Sequence, residues 1–430
     1  MTNNTLDART AALDLFQGVI RKNRPLDQVM ADTAAFTRLD ARNRAFAHNL
    51  VATALRRLGQ IDARIAGCLD HPLPANATPT QDILRLGAAQ LLFTGTADHA
   101  AVDTAVDLTR RRGQNHMAKL ANAVLRRLQR EGMGPDNGDA ARLNTPDCLW
   151  QAWDAAYGSD TCRAIAESHL RVAPTDITVK ADAPSWAKRL GGSALSDQTV
   201  RLHDNETITE RAGFAEGAWW VQDRAAALPA RLLGDVAGRR ILDLCAAPGG
   251  KTAQLAAAGA QVTALDRSAN RLKTLEQNLS RLKFSAEVLT ADATRWTPDD
   301  PFDGILLDAP CSATGTIRRH PDLPHLKGPD DVAKLADLQA RLLTRAAEWL
   351  APGGLLVFAT CSLQPEEGPA QVAAFLAGRN DFRSERVEAG ESGITAEMVS
   401  PEGWLRTLPS MEAETGGMDG FFAARLRRIA

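Results

Sequence analysis

The chain has 430 residues, of which 44% are hydrophobic and 24% are charged, a composition typical of globular proteins. Its formal net charge of −2 excludes a protein that binds nucleic acid through a surface that is basic throughout. The sequence has no apolar signal-peptide core in residues 1–10 and no apolar run of membrane-spanning length, so we expect a cytoplasmic protein without membrane contact.

Length and cysteine usage narrow the class further. A chain of this size is expected to form two or three domains. The cysteines include no CxxC pair and no regular framework, so we expect neither disulfides nor a metal site; they are Cys68, Cys148, Cys162, Cys245, Cys311 and Cys361. The first three lie in helical patterns and are predicted to be structural.

Residues 1–133 predict an all-α domain. Apolar residues recur at helical spacing in about five segments, among them 8–19, 46–58 and 120–128. Residues 1–131 hold 18 Lys and Arg against 12 Asp and Glu, a net charge of +6, whereas the rest of the chain carries −8. With the clusters Arg110-Arg111-Arg112 and Arg126-Arg127, this asymmetry favours a polyanion-binding surface. An ordinary solvated helical surface rich in arginine is the alternative.

The middle of the chain changes character twice. Residues 131–146 are rich in Gly, Pro, Asn and Asp and are predicted to form a linker. Residues 147–235 then predict a small α+β region, with a helix over 148–170 and short strands over 177–181, 200–203 and 219–222.

From Arg240 onward, strand and helix patterns alternate. The predicted strands are 241–245, 262–266, 286–289, 304–308 and 355–360, with further candidates at 383–387 and 421–426. The predicted helices are 251–258, 269–282 and 331–350. This alternation predicts a doubly wound, mostly parallel α/β sheet over residues 236–430.

The turn after the first of these strands, Cys245-Ala246-Ala247-Pro248-Gly249-Gly250-Lys251, indicates the cofactor. A Walker A loop needs glycine at the position of Cys245, so binding of a nucleoside triphosphate through such a loop is disfavoured. The GxGxxG fingerprint of dinucleotide-binding proteins is also absent. The glycines let the backbone approach a ligand at a helix N-terminus, which suits a carboxylate.

Two acids follow the next strands. Asp266 ends the second strand, where an acid can hold ribose hydroxyls, and Asp292 after the third strand is a candidate for an adenine amino group. Together with the turn they predict S-adenosylmethionine. A turn that serves only strand–helix packing is the alternative.

Two cysteines end later strands of the sheet, in Asp308-Ala309-Pro310-Cys311-Ser312 and in Thr360-Cys361-Ser362. Ligands bind at the C-terminal ends of parallel strands, so two thiols at that edge predict covalent chemistry on an electrophilic carbon. Asp308 is expected near both the cofactor and the reacting atoms, where its carboxyl would stabilise an adduct by hydrogen bonding. Spacing alone does not say which cysteine attacks.

These motifs resemble those of the Sun/Nop family of RNA cytosine-5 methyltransferases, in particular its bacterial 16S rRNA members, over nearly the whole chain. Residues 42–47 and 84–93 resemble the NusB-like RNA-binding bundle that precedes the catalytic part in those members. Further matching motifs are Arg318-Arg319-His320-Pro321-Asp322 and Gly417-Met418-Asp419-Gly420-Phe421-Phe422. The chain departs from the family pattern at residues 178–180 and 323–325.

The resemblance implies a class I methyltransferase sheet with an antiparallel final strand near Phe421. It implies that Cys361 attacks carbon 6 of a cytosine, that Cys311 serves product release, and that Asp308 contacts N3 of the base. Lys251 is a candidate cation for activating the thiol, or a contact for cofactor or RNA. Residues 318–322 are expected to contact a phosphate or to shape the target pocket.

The resemblance also implies the partners: S-adenosylmethionine as cofactor, RNA as substrate with 16S rRNA foremost, no metal, and a monomeric protein. Three rivals stay open on the sequence. They are a non-enzymatic RNA-binding ribosome-assembly factor built on an inactive methyltransferase, a DNA cytosine methyltransferase, and a methyltransferase for another RNA such as tRNA.

Overall fold

The structure, a computed structural model, describes residues 3–133, 138–204 and 206–429. The helices are α1 Asn3–Ile20, α2 Leu26–Asp32, α3 Ala34–Thr37, α4 Ala41–Arg56, α5 Leu58–Gly67, α6 Thr78–Phe93, α7 Asp98–Arg111, α8 Ala118–Glu131, α9 Ala140–Leu143, α10 Asp147–Tyr157, α11 Ser159–His169, α12 Ala183–Leu190, α13 Arg224–Arg231, α14 Gly250–Ala257, α15 Ala269–Leu282, α16 Leu323–Leu326, α17 Pro329–Glu348 and α18 Pro369–Ala377. The strands are β1 Thr175–Val179, β2 Ser193–Ala194, β3 Thr199–Leu202, β4 Trp219–Val221, β5 Arg240–Leu244, β6 Gln261–Asp266, β7 Glu287–Thr290, β8 Phe302–Asp308, β9 Leu350–Thr360, β10 Phe382–Glu385, β11 Leu405–Thr407 and β12 Phe421–Arg428. Across these described ranges, none of the helices combines the length and apolar composition that crossing a bilayer requires.

The chain divides into two compact units. The helical unit comprises Met1–Arg171 and Ile317–Lys327, and the sheet unit comprises Val172–Thr316 and Gly328–Ala430. The division at Arg171 falls inside the region predicted over residues 147–235. The three-domain division over 1–133, 147–235 and 236–430 stays a prediction.

The N-terminal part of the helical unit is all-α, as predicted, but it has more helices than the approximately five expected. The short helices α2 and α3 hold too few turns to produce a recognisable period. The segment predicted as one helix over 46–58 is divided, because α4 ends at Arg56 and α5 begins at Leu58. The buried core includes the large side chains Leu13, Leu15, Phe16, Leu50, Leu55 and Ile61.

The segment predicted as a linker, residues 131–146, is partly structured. Helix α9 lies inside it, and the Asn144 side chain donates a 2.9 Å hydrogen bond to Gln60 Oε1 on α5. The prediction of a linker without secondary structure is therefore wrong for residues 140–144. Their contact with α5 could not be predicted, because it joins residues far apart in the chain and produces no local sequence pattern. Residues 134–137 lie outside the described residues.

Residues 317–327 join the helical unit although they come from the later half of the chain. Leu326, on α16, is buried in the core of the helical unit, and Asp322 Oδ2 accepts a 2.9 Å hydrogen bond from the backbone of Leu26. Arg56 Nη2 donates to the Arg318 carbonyl at 2.9 Å. The motif over 318–322 thus has a packing role that its sequence alone does not indicate.

The predicted basic clusters are mostly ion-paired. Arg110 contacts Asp107, Arg112 contacts Asp14, Arg126 contacts Asp103, and Arg127 contacts Glu131. Exposed Arg111 makes no ion pair within the described part of the chain. Much of the positive charge on this surface is therefore locally balanced.

The sheet unit begins with a small antiparallel sheet in the order β2-β3-β1-β4. The strands predicted over 177–181, 200–203 and 219–222 correspond to β1, β3 and β4.

The single predicted helix over 148–170 is two helices, because Gly158 ends α10 with a positive φ of 80°.

The large sheet has the order β10-β12-β9-β8-β5-β6-β7, with β11 paired to β12. Neighbours from β9 to β7 are parallel, whereas β12 runs antiparallel to β9 and β10 antiparallel to β12. The doubly wound sheet and its antiparallel final strand are confirmed. Because β5, β6, β8 and β9 run in one direction, their C-terminal ends meet at one edge.

Candidate functional site

The turn between β5 and α14 forms the first part of the site. Gly249 has a φ of +102°, and a Cβ there would lie 2.7 Å from Leu275 Cγ, so both the conformation and the space require glycine. The Ala247–Pro248 peptide is cis. The turn delivers the free amides of the first turn of α14 to the sheet edge, where they can bind an anion.

Asp266 fastens this turn to the end of β6. Its carboxylate accepts hydrogen bonds from the backbone of Ala247 at 3.2 Å and of Ser268 at 2.9 Å. A carboxylate has about four acceptor positions, so Asp266 keeps capacity for ligand hydroxyls. The guanidinium of Arg271, which sequence analysis missed, lies 3.5 Å from Asp266 Oδ2.

Asp292 follows β7 at the same edge. The side chain and the backbone amide of Thr294 donate to its Oδ1 at 2.7 and 2.9 Å. These hydrogen bonds lower the pKa of Asp292, which keeps it ionised and able to accept from an amino group.

Cys245 lies in the turn but is a poor candidate for covalent chemistry. Burial raises the pKa of its thiol to about 12. The thiol is therefore neutral at physiological pH and is not available as a nucleophile.

A buried acid that the sequence did not single out lies beneath the turn. Asp243 Oδ2 accepts a 2.6 Å hydrogen bond from Thr252 Oγ1, which ties β5 to the first turn of α14. Burial raises the pKa of Asp243 to about 7, against the opposing effect of the Thr252 bond.

Lys251 and Asp308 form an ion pair between α14 and the end of β8, with Nζ 2.8 Å from Oδ2. Burial alone would lower the pKa of Lys251, but the charges of Asp308 and Cys361 and the Asp308 hydrogen bond raise it overall. The ring of Phe421 lies 5.1 Å from the ammonium. Lys251 is therefore a persistent cation beside one of the two predicted cysteines.

The two cysteines come together as predicted. Strands β8 and β9 are parallel neighbours in which Asp308 pairs with Ala359, so the loops after them start side by side. Cys311 Sγ and Cys361 Sγ are 3.5 Å apart. The hydrogen bond with Cys361, followed by burial, raises the pKa of Cys311 well above that of an ordinary thiol.

Several contacts join the two cysteine loops. Ser312 Oγ and Ser362 Oγ are 3.0 Å apart, and the Leu363 amide donates to Thr314 Oγ1 at 2.9 Å. The Gly315 amide donates to the Cys361 carbonyl at 2.9 Å, and the Gly420 amide donates to the Gly315 carbonyl at 2.8 Å. The motif over 417–422 thus supports the loop that carries Cys311.

Glu367 lies under both loops and was missed by sequence analysis. It accepts from the Ser312 amide at 2.9 Å, from Ser362 Oγ at 2.6 Å and from the Ser312 hydroxyl. The available signal was a serine directly after each cysteine, which suggests a shared acceptor but does not identify it.

The sheet order, the glycine-rich turn after β5 and the acids after β6 and β7 define the fold of a class I methyltransferase. A family model described as 16S rRNA methyltransferase RsmB/F matches residues 230–427, and a NusB family model matches residues 6–130. The ribosomal RNA small subunit methyltransferase B of Shewanella oneidensis is 36% identical over 413 residues, covering 90% of this chain and 91% of that protein. The chain belongs to this RsmB/F family of methyltransferases.

Solved structures agree in fold. The crystal structure of PH0851 covers 100% of both chains with a TM-score of 0.78 at 23% identity. A methyltransferase homolog protein from Pyrococcus horikoshii is 28% identical, with a TM-score of 0.55, covering 65% of this chain and 93% of its own.

Proposed function

We propose that this protein transfers a methyl group from S-adenosylmethionine to carbon 5 of a cytosine in RNA, and that 16S rRNA is the substrate. The observation that carries the proposal is the pair of thiols 3.5 Å apart on neighbouring strand ends, beside the Lys251–Asp308 ion pair. Family membership supports the RNA substrate, and the basic N-terminal part of the chain suits a polyanion.

The residues around the turn fit the cofactor. The amides at the start of α14 suit its carboxylate, Asp266 its ribose hydroxyls, and Asp292 its adenine amino group. The backbone of Cys245-Ala246-Ala247-Pro248-Gly249-Gly250-Lys251 forms the wall between them, and Asp308 borders the reacting end. When bound, S-adenosylmethionine supplies an electrophilic methyl group.

In the proposed mechanism, the Cys361 thiolate forms a bond to carbon 6 of the cytosine. The electrons of the former double bond between carbons 5 and 6 then make carbon 5 nucleophilic, as in an enamine. Carbon 5 uses these electrons to form the bond to the methyl group. Asp308, in its protonated form, donates a hydrogen bond to N3 and so stabilises the negative charge that attack places on the ring. The Lys251 ammonium lies 2.8 Å from Asp308 Oδ2 and holds that carboxyl in place.

Release reverses the covalent bond. The proton on carbon 5 passes to a water molecule, the electrons of the broken carbon–hydrogen bond restore the ring double bond, and the carbon 6–sulfur bond breaks to return Cys361. Cys311 serves this release step. Its raised pKa keeps it a neutral thiol that can donate to the departing Cys361 sulfur.

The target base must be unpaired or turned out of a helix before a thiol can reach carbon 6. We propose that the helical unit binds the RNA backbone, with Arg111 as one phosphate contact, and that residues 318–322 contribute to RNA binding. The protein is proposed to act as a cytoplasmic monomer without a metal.

The test combines an in vitro and a cellular measurement. Purified protein with radiolabelled S-adenosylmethionine should label 16S rRNA, and bisulfite sequencing should show one rRNA cytosine losing its modification in cells that lack the protein. Label that survives ribonuclease would indicate a DNA substrate. Label on tRNA alone would show that tRNA, rather than 16S rRNA, is the substrate. No label on any nucleic acid would favour a non-enzymatic assembly factor.

A further inference from the structure

The buried carboxylate of Glu367 is surrounded by groups that belong to the two cysteine loops. Glu367 is 0% exposed and lies five residues after Ser362, at the end of a short 3-10 turn over Pro365–Glu367. Its Oε2 accepts from the hydroxyls of Ser312 and Ser362, and its Oε1 accepts from the Ser312 amide. Each serine directly follows a cysteine in the chain, so a displacement of either serine moves the adjoining thiol.

A second set of contacts fixes the carboxylate itself. Gln339 on α17 donates at 3.2 Å to Glu367 Oε1 and at 2.9 Å to the Pro310 carbonyl, which precedes Cys311. Thr360 Oγ1, directly before Cys361, donates to the Glu367 carbonyl at 3.0 Å. Glu367 therefore connects to the residues on both sides of each cysteine without itself reaching the thiols.

Keeping a carboxylate in this place has a cost that packing alone does not explain. A buried polar group is destabilising unless its hydrogen bonds are satisfied, and an apolar side chain would fill the same space more cheaply. Burial raises the pKa of Glu367, against the hydrogen bonds from Ser312, Ser362 and Gln339 that lower it. What the site needs from Glu367 is thus its acceptor geometry.

We propose that Glu367 is a positioning residue that holds the Cys311 and Cys361 thiols at their mutual distance and orientation. This inference rests on the proposed cytosine-5 methyl transfer, in which one thiol attacks and the other serves release. Errors of about 1 Å in such an arrangement can cost about 100-fold in rate, so loss of the loop anchor should slow turnover strongly.

The geometry predicts which substitutions are tolerated. In Glu367→Gln, the side-chain oxygen can take the Oε1 position and accept from the Ser312 amide and the Gln339 side chain, which can only donate. The new amide group then faces the hydroxyls of Ser312 and Ser362, which can rotate to accept from it. Glu367→Ala removes all of these acceptors. We expect Glu367→Ala to lower kcat by about 10-fold to 100-fold and Glu367→Gln to stay within about threefold of the wild type. The neighbouring, exposed Glu366→Gln is the matched control with unchanged kcat.

Two readouts separate positioning from a general stabilising role. In the first, mild oxidation with diamide is followed by peptide mass spectrometry, which measures how fast the Cys311–Cys361 disulfide forms without RNA or cofactor. Disulfide formation should be slowed in Glu367→Ala and unchanged in Glu367→Gln and Glu366→Gln. In the second, the KM for S-adenosylmethionine should stay near the wild-type value while kcat falls.

The possible outcomes discriminate between the two proposals. If Glu367→Ala loses turnover but forms the Cys311–Cys361 disulfide at the wild-type rate, the positioning role is overturned. It is also overturned if Glu367→Ala keeps both the wild-type turnover and the wild-type rate of disulfide formation. If the wild type itself does not methylate RNA, the proposed function fails, while the cross-linking comparison still reports on thiol placement. If Glu367→Ala does not fold, Ser312→Ala/Ser362→Ala removes the linking hydroxyls instead, and an unchanged cross-linking rate there overturns the inference.

Discussion

At the scale of single residues, three cysteines near one sheet edge have different surroundings. Desolvation raises the pKa of Cys245, in the turn after β5, to about 12, and the hydrogen bond with Cys361, followed by desolvation, raises the pKa of Cys311. The charge of Cys361 helps to raise the pKa of the neighbouring Lys251 ammonium. That Cys361, rather than Cys311, attacks the base stays a prediction from the family resemblance.

The release role of Cys311 makes a prediction about intermediates. In Cys311→Ala, attack by Cys361 should proceed while elimination slows, so a covalent protein–RNA complex should accumulate under turnover. Denaturing gel electrophoresis of the reaction with labelled RNA measures it, with the wild type as reference. Absence of any complex in a folded, cofactor-binding Cys311→Ala variant would count against the role.

The ion pair between Lys251 and Asp308 makes a prediction about the rate of adduct formation. Lys251→Met removes the partner that holds the Asp308 carboxyl at 2.8 Å, so the rate of adduct formation should fall by about 10-fold to 100-fold. Quenched-flow trapping of the protein–RNA complex measures that rate. Lys273→Met, on the exposed side of α15, is the control. A rate of adduct formation in Lys251→Met within about threefold of the wild type would contradict this positioning of Asp308.

At the scale of elements, the strands and the sheet edge could be predicted, whereas the loops that complete the site could not. Strands such as β5 and β8 are continuous apolar runs, and the acids and cysteines after them follow from the rule that ligands bind at C-terminal strand ends. Glu367, by contrast, acts through contacts with Ser312, 55 residues away in the chain, which no local pattern records. Helix α13 was missed because it contains Pro229, and β11 because it is short and forms only by pairing with β12.

The contact between Gly315 and Gly420 predicts a loop-specific defect. A Cβ on Gly315 would lie 2.0 Å from the Gly420 carbonyl oxygen, so Gly315→Ala must move a backbone that supports the Cys311 loop. We expect a loss of about 1–3 kcal/mol in the free energy of unfolding, together with a fall in kcat. Chemical denaturation and initial rates measure the two effects.

Gly378→Ala is the control for this substitution, since its Cβ would meet nothing closer than 3.7 Å. Equal stability and activity of Gly315→Ala and the wild type would show that this approach of the two backbones is not needed for the site.

At the scale of the whole molecule, the sequence order does not match the packing. Residues 317–327 follow the Cys311 loop in the chain, yet they pack into the helical unit through Asp322, α16 and Leu326. Arg318–Asp322 is predicted from the sequence only to contact a phosphate or shape the target pocket, because the burial of Asp322 against α2 has no signature in the neighbouring residues. The helical unit is thus completed by a segment that lies far from it in sequence.

This arrangement predicts a local effect of Asp322→Ala. Removing the carboxylate leaves the buried Leu26 amide without its acceptor, which should cost about 1–3 kcal/mol and loosen α2. Hydrogen exchange followed by mass spectrometry should show faster exchange over residues 26–32 and little change over 240–266. Asp337→Ala, at an exposed position of α17, is the control. Unchanged exchange over 26–32 would contradict the packing role.

Trapping the covalent intermediate on a fluorinated RNA shows directly whether Cys361 attacks the cytosine ring. The protein is incubated with S-adenosylmethionine and RNA that carries 5-fluorocytosine, whose fluorine cannot leave as the proton does, and the trapped complex is digested and analysed by mass spectrometry. We expect a nucleotide bonded to the peptide that contains Cys361, and no complex in Cys361→Ala. A nucleotide bonded to Cys311 instead, or a complex that persists in Cys361→Ala, would contradict it.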